Sequence, residues 1–328
     1  PDGTTILYDF GKVDGGKDIV PYLQELGLSP EDGIDYAILS HRDTDHFVGF
    51  KGVVEADYGT KVANFDSGSP KEGASITKYW LEPAEETPAG PVQKIPVGLK
   101  IPLGNGAEVL VVAANGKVFG ESKSPKVTNE NDRSVALFVR YRNFQYVLDG
   151  DLGGGPEDCT EHDTDQRDVQ SRVARRLLAM KLISPDRGVD VLHIAHHGSE
   201  SSTSAVYYNL MKPEVGLISV GLNQGTFRHP REDVVDRVLL GGSERADCVT
   251  APPLIALFQT EDGVEGESST GRTSFSGLTI GDIKLTTDGE TGYTVEGNYR
   301  VHGWVKRPGD LPKAPPPIVE TFALDENN

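Results

Sequence analysis

Cysteine is scarce in this chain: Cys159 and Cys248 are the two among 328 residues. Two thiols are too few for a cysteine-ligated zinc site or a disulfide framework. They leave two states open, one bridge in an oxidising compartment or two separate thiols. Long apolar runs are missing as well. No stretch of about 18 apolar residues occurs, so no membrane span is encoded, and no signal-peptide pattern is visible. The start at Pro1 rather than Met fits a mature or trimmed form. Positive charge is in short supply, with 32 Lys and Arg against 50 Asp and Glu and a net charge of −18. That excludes the basic face of a protein that coats nucleic acid. Its field repels polyanions at long range, while a metal centre and a few local cations still suffice to hold one phosphate. No internal repeat occurs. What is present is 37% apolar residues with 38 Gly and 21 Pro. That is the composition of a strand- and loop-rich globular protein, long enough for an ample core.

The 8 histidines are unevenly spread. Five fall in three short stretches: His41 and His46, then His196 and His197, then His229. The first stretch reads His41-Arg42-Asp43-Thr44-Asp45-His46. It follows the apolar run Tyr36 to Ser40, the pattern of a buried strand, and precedes Phe47-Val48-Gly49-Phe50, whose glycine can close a turn. A strand ending in a tight loop aims several side chains at one point. Neutral imidazole and carboxylate together suit a divalent transition metal.

Further elements follow from spacing. Thr4 to Tyr8 is a β-type run, and Asp2-Gly3 has the form of a hairpin turn whose first strand would precede Pro1. Ile19, Val20, Leu23 and Leu26 predict a helix over 17–28. With the strand before His41 they make a β-α-β unit, the mark of a layered α/β fold. Strands are expected at 58–66, 93–102 and 108–113, and an exposed Pro- and Glu-rich loop at 81–91. Residues 134–141 and 144–148 form a hairpin that delivers Asp149-Gly150-Asp151. Val169, Val173, Leu177, Met180 and Ile183 give the clearest helix, over 168–183, with Arg172, Arg175, Arg176 and Lys181 on its solvated faces. Val189 to Ala195 is a strand ending at His196-His197-Gly198-Ser199. A helix is expected at 204–211, a strand at 215–220, a helix at 232–240, and strands at 255–260, 282–287 and 293–296. The chain is read as one domain over 1–300 and a Pro-rich, loosely ordered tail over 301–328.

Loops at strand ends therefore carry the same ligand types. In one arrangement His41, Asp43 and Asp151 hold one ion, and Asp45, His46, Asp151 and His196 hold a second. Two ions about 3.5–4 Å apart can share a hydroxide and stabilise both attacking and leaving oxygens. A metal-bound water reaches a pKa near 7, so hydrolysis is the natural reaction class.

These residues resemble a known family. His41-x-Asp43-x-Asp45-His46 is similar to the His-x-His-x-Asp-His signature of the metallo-β-lactamase fold superfamily, with Asp in place of the second His. Leu148-Asp149-Gly150-Asp151 looks like its Gly-Asp motif, and Asp9 matches the Asp-x-Gly turn near its start. Residues 191–199, Ser219-Val220-Gly221 with Asn223, and His229-Pro230 resemble the hydrolase domain of the ComEC-like branch, as do 258–263 and 281–283. The resemblance covers roughly residues 4 to 297. It implies a four-layer αββα sandwich and a metal-dependent hydrolase using a metal-bound hydroxide, a phosphodiesterase or nuclease. Ester or lactone hydrolysis at the same site is the alternative. It implies metal ligands His41, Asp43, Asp45, His46, Asp151 and His196. Asp45 also counts as catalytic, and His229 as a proton donor to the leaving oxygen. His197, Ser199, Asn223 and Arg228 would hold the substrate. There is no histidine between His46 and His162, where most of the superfamily has another ligand. Asn131-Asp132-Arg133-Ser134 stands there instead, as in the ComEC-like branch. One or two divalent ions, Zn or Mn, are thus expected. Candidate partners are a phosphodiester or small ester substrate and single-stranded nucleic acid, with no sign of an obligate protein partner. His193 is expected to be buried and structural, and His162 at the surface. The location implied is secreted, cell-surface or periplasmic, with the cytoplasm left open.

Overall fold

The computed structural model describes residues 1–12, 16–17, 19–157, 159–160, 164–221, 227, 229–261, 263, 278–279, 281–297 and 319–324. The chain forms two compact units, Pro1–Leu137 and Phe138–Asn328. Both combine sheets with helices, as the α/β class expected from the sequence requires.

The first unit is built on a parallel sheet. Its strands β1 (Ile6–Tyr8), β2 (Ile34–Leu39), β3 (Thr60–Asp66) and β4 (Gln93–Lys94) stand in sequential order. Helix α1 (Ile19–Glu25) completes the expected β-α-β unit. Strand β2 lies between two parallel neighbours, so its apolar residues are buried on both faces; Ala37, Ile38 and Leu39 are fully inaccessible. Helices α2 (Thr44–Phe47) and α3 (Phe50–Glu55) follow it. Phe10, Phe50 and Trp80 form an aromatic cluster with centroids 4.6–5.0 Å apart, packed with Phe47 and Leu39. The cluster sits in the same core as α2 and so fixes the segment that carries His46. Gly49 lets the chain pass close: an added Cβ would lie 2.0 Å from the Phe10 carbonyl oxygen. The unit is completed by the antiparallel strands β5 (Lys100–Gly104), β6 (Ala107–Ala114) and β7 (Lys117–Val118).

Residues 81–91, expected to be an exposed loop, begin as helix. Helices α4 (Ala74–Ile76) and α5 (Glu82–Glu85) are joined by the helical segment Thr77–Leu81. Trp80 and Ala84 are fully buried in the aromatic core. The Pro and Glu composition misled because burial of Trp80 and Ala84 outweighs the N–H that Pro83 removes inside the helical stretch 74–85.

In the second unit, β8 (Ala136–Tyr141) neighbours β9 (Phe144–Leu148), and the parallel strands β10 (Val191–His193), β11 (Val215–Ile218), β12 (Ala256–Gln259) and β13 (Leu278–Thr279) follow in order. Helix α6 (Gln170–Ala179) buries Val173, Ala174 and Leu177. Helix α7 (Ala205–Met211) is capped by Ser204, whose hydroxyl accepts the Tyr207 N–H. Helix α8 (Glu232–Val234) continues as the helical segment Val235–Leu239. An antiparallel sheet of β14 (Ile283–Thr287), β15 (Gly292–Gly297) and β16 (Val319–Ala323) packs Tyr293, Val295 and Leu324 against Phe144, Val191, Val215 and Phe258.

Strand β16 lies within the stretch expected to be a loosely ordered tail. Phe322 stacks on Tyr293 at 5.0 Å and Leu324 is buried, so these residues gain apolar burial that the preceding prolines hid from the sequence pattern. The cysteines form a disulfide, Cys159–Cys248, with Cα atoms 6.2 Å apart.

Candidate metal centre

In the first unit, β2 ends at Ser40 and the chain turns sharply into α2. His41 is inaccessible and His46 nearly so, and their rings lie 4.1 Å apart. Asp9 holds both. Its carboxylate accepts from the Ser40 N–H at 2.7 Å and the Ser40 hydroxyl at 2.8 Å, and it lies 2.8 Å from His46 Nδ1. Ser40 Oγ also stands 2.9 Å from His41 Nδ1. A hydroxyl has one proton to give. With that proton on Asp9, Ser40 accepts from His41 Nδ1–H, and Asp9 accepts from His46 Nδ1–H. Both rings are then set with Nε2 as the lone-pair nitrogen, the arrangement that supports metal ligation.

Asp43 and Asp45 lie beside this pair. Asp43 Oδ2 is 3.5 Å from His41 Nε2, and its other oxygen is ion-paired with Lys71. Burial raises the Asp43 carboxyl, but His41 and Lys71 outweigh it and bring it down to about 2. Asp45 is more exposed and lies 3.9 Å from His46 Nε2. Arg42 turns away to Asp66 at the end of β3.

The second unit presents its own donor group. Strand β9 leads to Asp149-Gly150-Asp151, and β10 leads to His196 and His197. The His196 N–H donates to Gly150 O at 3.0 Å, which ties the two loops. Asp151 Oδ2 lies 3.7 Å from His196 Nε2 and 3.9 Å from His197 Nε2. Donors on one tetrahedral ion at ordinary bond lengths stand about 3.3 Å apart, so each imidazole taken singly lies near ligand spacing from Asp151. The Nδ1 atoms are again anchored: His196 to Ser201 Oγ at 2.7 Å and His197 to the Ser219 carbonyl at 2.7 Å. His197 thus stands beside Asp151 as His196 does. Ser199 Oγ lies 3.0 Å from Ser201 Oγ. Both histidines have positive φ, 54° and 55°, a region that non-glycine residues adopt at a cost.

His229 is buried, its ring 5.4 Å from that of His196 and 6.2 Å from that of His197. Burial, then those two neighbours, push its pKa down to about 3. It is a neutral imidazole near pH 7, better suited to give a ring N–H hydrogen bond than to deliver a full proton. Phe227 stacks on it at 6.0 Å and is 68% exposed. Asn223, Arg228 and His162 lie outside the described residues. His193 is only half-buried.

Sequence reasoning did not reach Ser40, Ser201, Lys71 or Gln170. Ser40 and Ser201 adjoin the motifs, and a search for hydroxyls next to metal-type histidines would have found them. Lys71 and Gln170 carry no local signal.

The donor set fits a divalent ion: imidazole nitrogens and carboxylate oxygens, with His41, His46, His196 and His197 each held through Nδ1. No family model matches the chain. It is similar to ComE operon protein 3 of Bacillus subtilis (strain 168), 23% identical over 221 residues, or 67% of this chain. The chain spans 24% of the length of that curated relative. The motif resemblance to the ComEC-like branch and this likeness point the same way. Among solved structures, the chain is similar to a diphosphatase from the PhnP family, with 15% identity, 66% of this chain and 69% of the other covered, and a TM-score of 0.34. It is also similar to Zn(2+)-bound PqqB from Methylobacterium extorquens, with 18% identity, 59% and 56% covered and a TM-score of 0.34. The third is the metallo-β-lactamase fold protein YhfI from Bacillus subtilis, with 11% identity, 65% and 71% covered and a TM-score of 0.35.

Proposed function

We propose that this chain is a metal-dependent hydrolase that cleaves phosphodiesters, with one or two divalent ions held by His41, Asp43, Asp45, His46, Asp151 and His196. The observation that carries it is the Asp151 group, where one carboxylate oxygen stands within 4 Å of two imidazole Nε2 atoms whose Nδ1 atoms are pinned. A mixed nitrogen and oxygen set accepts either Mn²⁺ or Zn²⁺. When bound, such an ion lowers the pKa of a coordinated water toward about 7 and polarises a phosphoryl or carbonyl oxygen.

The chain's own residues supply the rest. Asp9 and Ser40 hold His41 and His46 in one tautomer. His229, neutral and buried, gives a hydrogen bond to the leaving oxygen, and Ser199 lies close by to position the substrate. Asn223 and Arg228 complete the substrate contacts in this reading. Resemblance to ComEC-like hydrolase domains supports a nuclease or phosphodiesterase. The exposed Phe227 face supports a substrate that carries a base, since bases stack on aromatic rings. The charge of −18 favours short or single-stranded substrates over long duplexes. An exposed ring equally suits an aryl or acyl group, which makes ester or lactone hydrolysis the second reading. The Cys159–Cys248 bridge supports a secreted or cell-surface location, where disulfides persist.

The test is hydrolysis of bis(p-nitrophenyl) phosphate by the full chain. Turnover with Mn²⁺ or Zn²⁺, abolished by chelator, is expected. Turnover of a lactone or aryl ester without the phosphodiester would transfer the case to the second reading.

A further inference from the structure

Gln170 sits in the first turn of α6, and its side chain is fully buried. Its Nε2 donates to Asp149 Oδ2 at 2.6 Å, and its Oε1 accepts from the Thr203 N–H at 2.7 Å. Asp149 heads the turn that ends in Asp151. Thr203 belongs to the loop that begins with His196 and His197. One buried amide therefore spans the two loops that carry the donor group of this unit. The reverse amide orientation would set N–H against N–H and oxygen against carboxylate. An amide alone among side chains of this length donates at one end and accepts at the other at neutral pH.

The two loops are also joined directly. The His196 N–H donates to Gly150 O at 3.0 Å, the Gly154 N–H to Ser201 O at 2.9 Å, and the Ser202 hydroxyl to Leu152 O at 2.8 Å. Gln170 holds the far end, at Thr203. Thr203 has a φ of 55°, which a β-branched residue adopts only under constraint. Strained backbone persists where its surroundings over-determine it. Removing the amide releases Thr203 and leaves the buried Asp149 carboxylate without that donor. The relaxation runs back along seven residues to His196 and along two to Asp151.

We infer that Gln170 is a positioning residue, which sets the spacing of Asp151 from His196 and His197 and thereby the affinity of the site for a divalent ion. The inference rests on the metal-hydrolase reading above. It adds a residue on a helix with no donor of its own, acting through Asp149 and Thr203.

The experiment titrates Mn²⁺ into chelator-treated full chain by calorimetry and records the metal-free Tm of the same samples. Gln170→Met conserves volume and removes both hydrogen bonds. Gln170→Glu keeps the acceptor for Thr203 and loses the donor to Asp149. Both are expected to bind Mn²⁺ at least tenfold more weakly, within the ~10–100-fold range for residues that orient ligands. Val173→Ala, one turn along α6, removes buried packing and no side-chain hydrogen bond. It should lower Tm yet bind Mn²⁺ within twofold of the parent. A folded Gln170→Met or Gln170→Glu chain with parental affinity overturns the inference and leaves the metal reading standing. A Val173→Ala loss as large as theirs overturns it too, because destabilisation alone would then account for the effect. If Gln170→Met does not fold, Gln170→Glu decides. A parent chain that binds neither Mn²⁺ nor Zn²⁺ refutes the metal reading, and the inference with it.

Discussion

Asp9→Asn is the sharpest perturbation of the first unit, because it changes one atom of a carboxylate that holds His46 directly and His41 through Ser40. The Asn carbonyl oxygen can still accept the Ser40 N–H, now 2.7 Å from Asp9. The amide nitrogen then faces Ser40 Oγ and His46 Nδ1, both 2.8 Å from the present oxygen. It donates where the carboxylate accepted. His46 Nδ1 must become an acceptor, so its proton moves to Nε2, and a protonated Nε2 cannot bind a metal ion. Mispositioned or wrong-tautomer ligands cost about 10–100-fold in metal affinity, or roughly 1.4–2.7 kcal/mol. The folded state also loses a charge-assisted hydrogen bond, about 1.5–3 kcal/mol. Calorimetric Mn²⁺ titration should show the first loss, and urea unfolding of the metal-free chain the second. Asp9→Asn protein that binds Mn²⁺ within twofold of the parent would refute the tautomer reasoning, whatever its stability.

Other consequences follow. Asp45→Ala should lose metal and activity and keep its fold, since Asp45 is among the exposed members of the motif; circular dichroism with elemental analysis checks both, and full metal content in the variant would remove Asp45 from the ligand set. Gly49→Ala should destabilise the chain by about 2 kcal/mol or more, because the new Cβ would meet the Phe10 carbonyl oxygen at 2.0 Å and overpacking costs on that order; an unchanged urea midpoint would contradict the contact. Asp190, buried at the head of β10, has its pKa raised to about 7 by burial and by Glu214, against the Gln145 N–H that donates to it. An unfolded Asp ionises near 4, so between about pH 4 and 7 the folded state holds the extra proton. Stability from this group is therefore present at low pH and lost as pH rises through about 7. Asp190→Asn, which can still accept from Gln145, should flatten that fall in urea midpoints, and an unaltered pH profile would count against the shift.

Much of this architecture is legible in the chain itself. The apolar run before His41 is β2, the Val169, Val173 and Leu177 spacing is α6, and the alternation around Val135 to Leu148 is the β8–β9 hairpin, because each depends on local periodicity. Where burial is set by distant partners, local pattern fails. Ala84 looks like part of a loop until the aromatic core of Phe10, Phe50 and Trp80 is brought against it, and β16 looks like tail until Tyr293 receives Phe322. The donor residues of the site stand out as His and Asp clusters. Their anchoring does not: Asp9 is legible as a turn residue but not as the partner of His46, 37 residues away, and Gln170 lies 21 from Asp149 and 33 from Thr203. A helix-interior glutamine has no feature that marks it as a bridge between loops.

The most direct measurement is an anomalous difference map from a crystal of the full chain grown with Mn²⁺. The expected result is a peak whose ligands are drawn from His41, Asp43, Asp45, His46, Asp151 and His196. A map with no peak at any of these residues, or a peak held by other side chains, would contradict it.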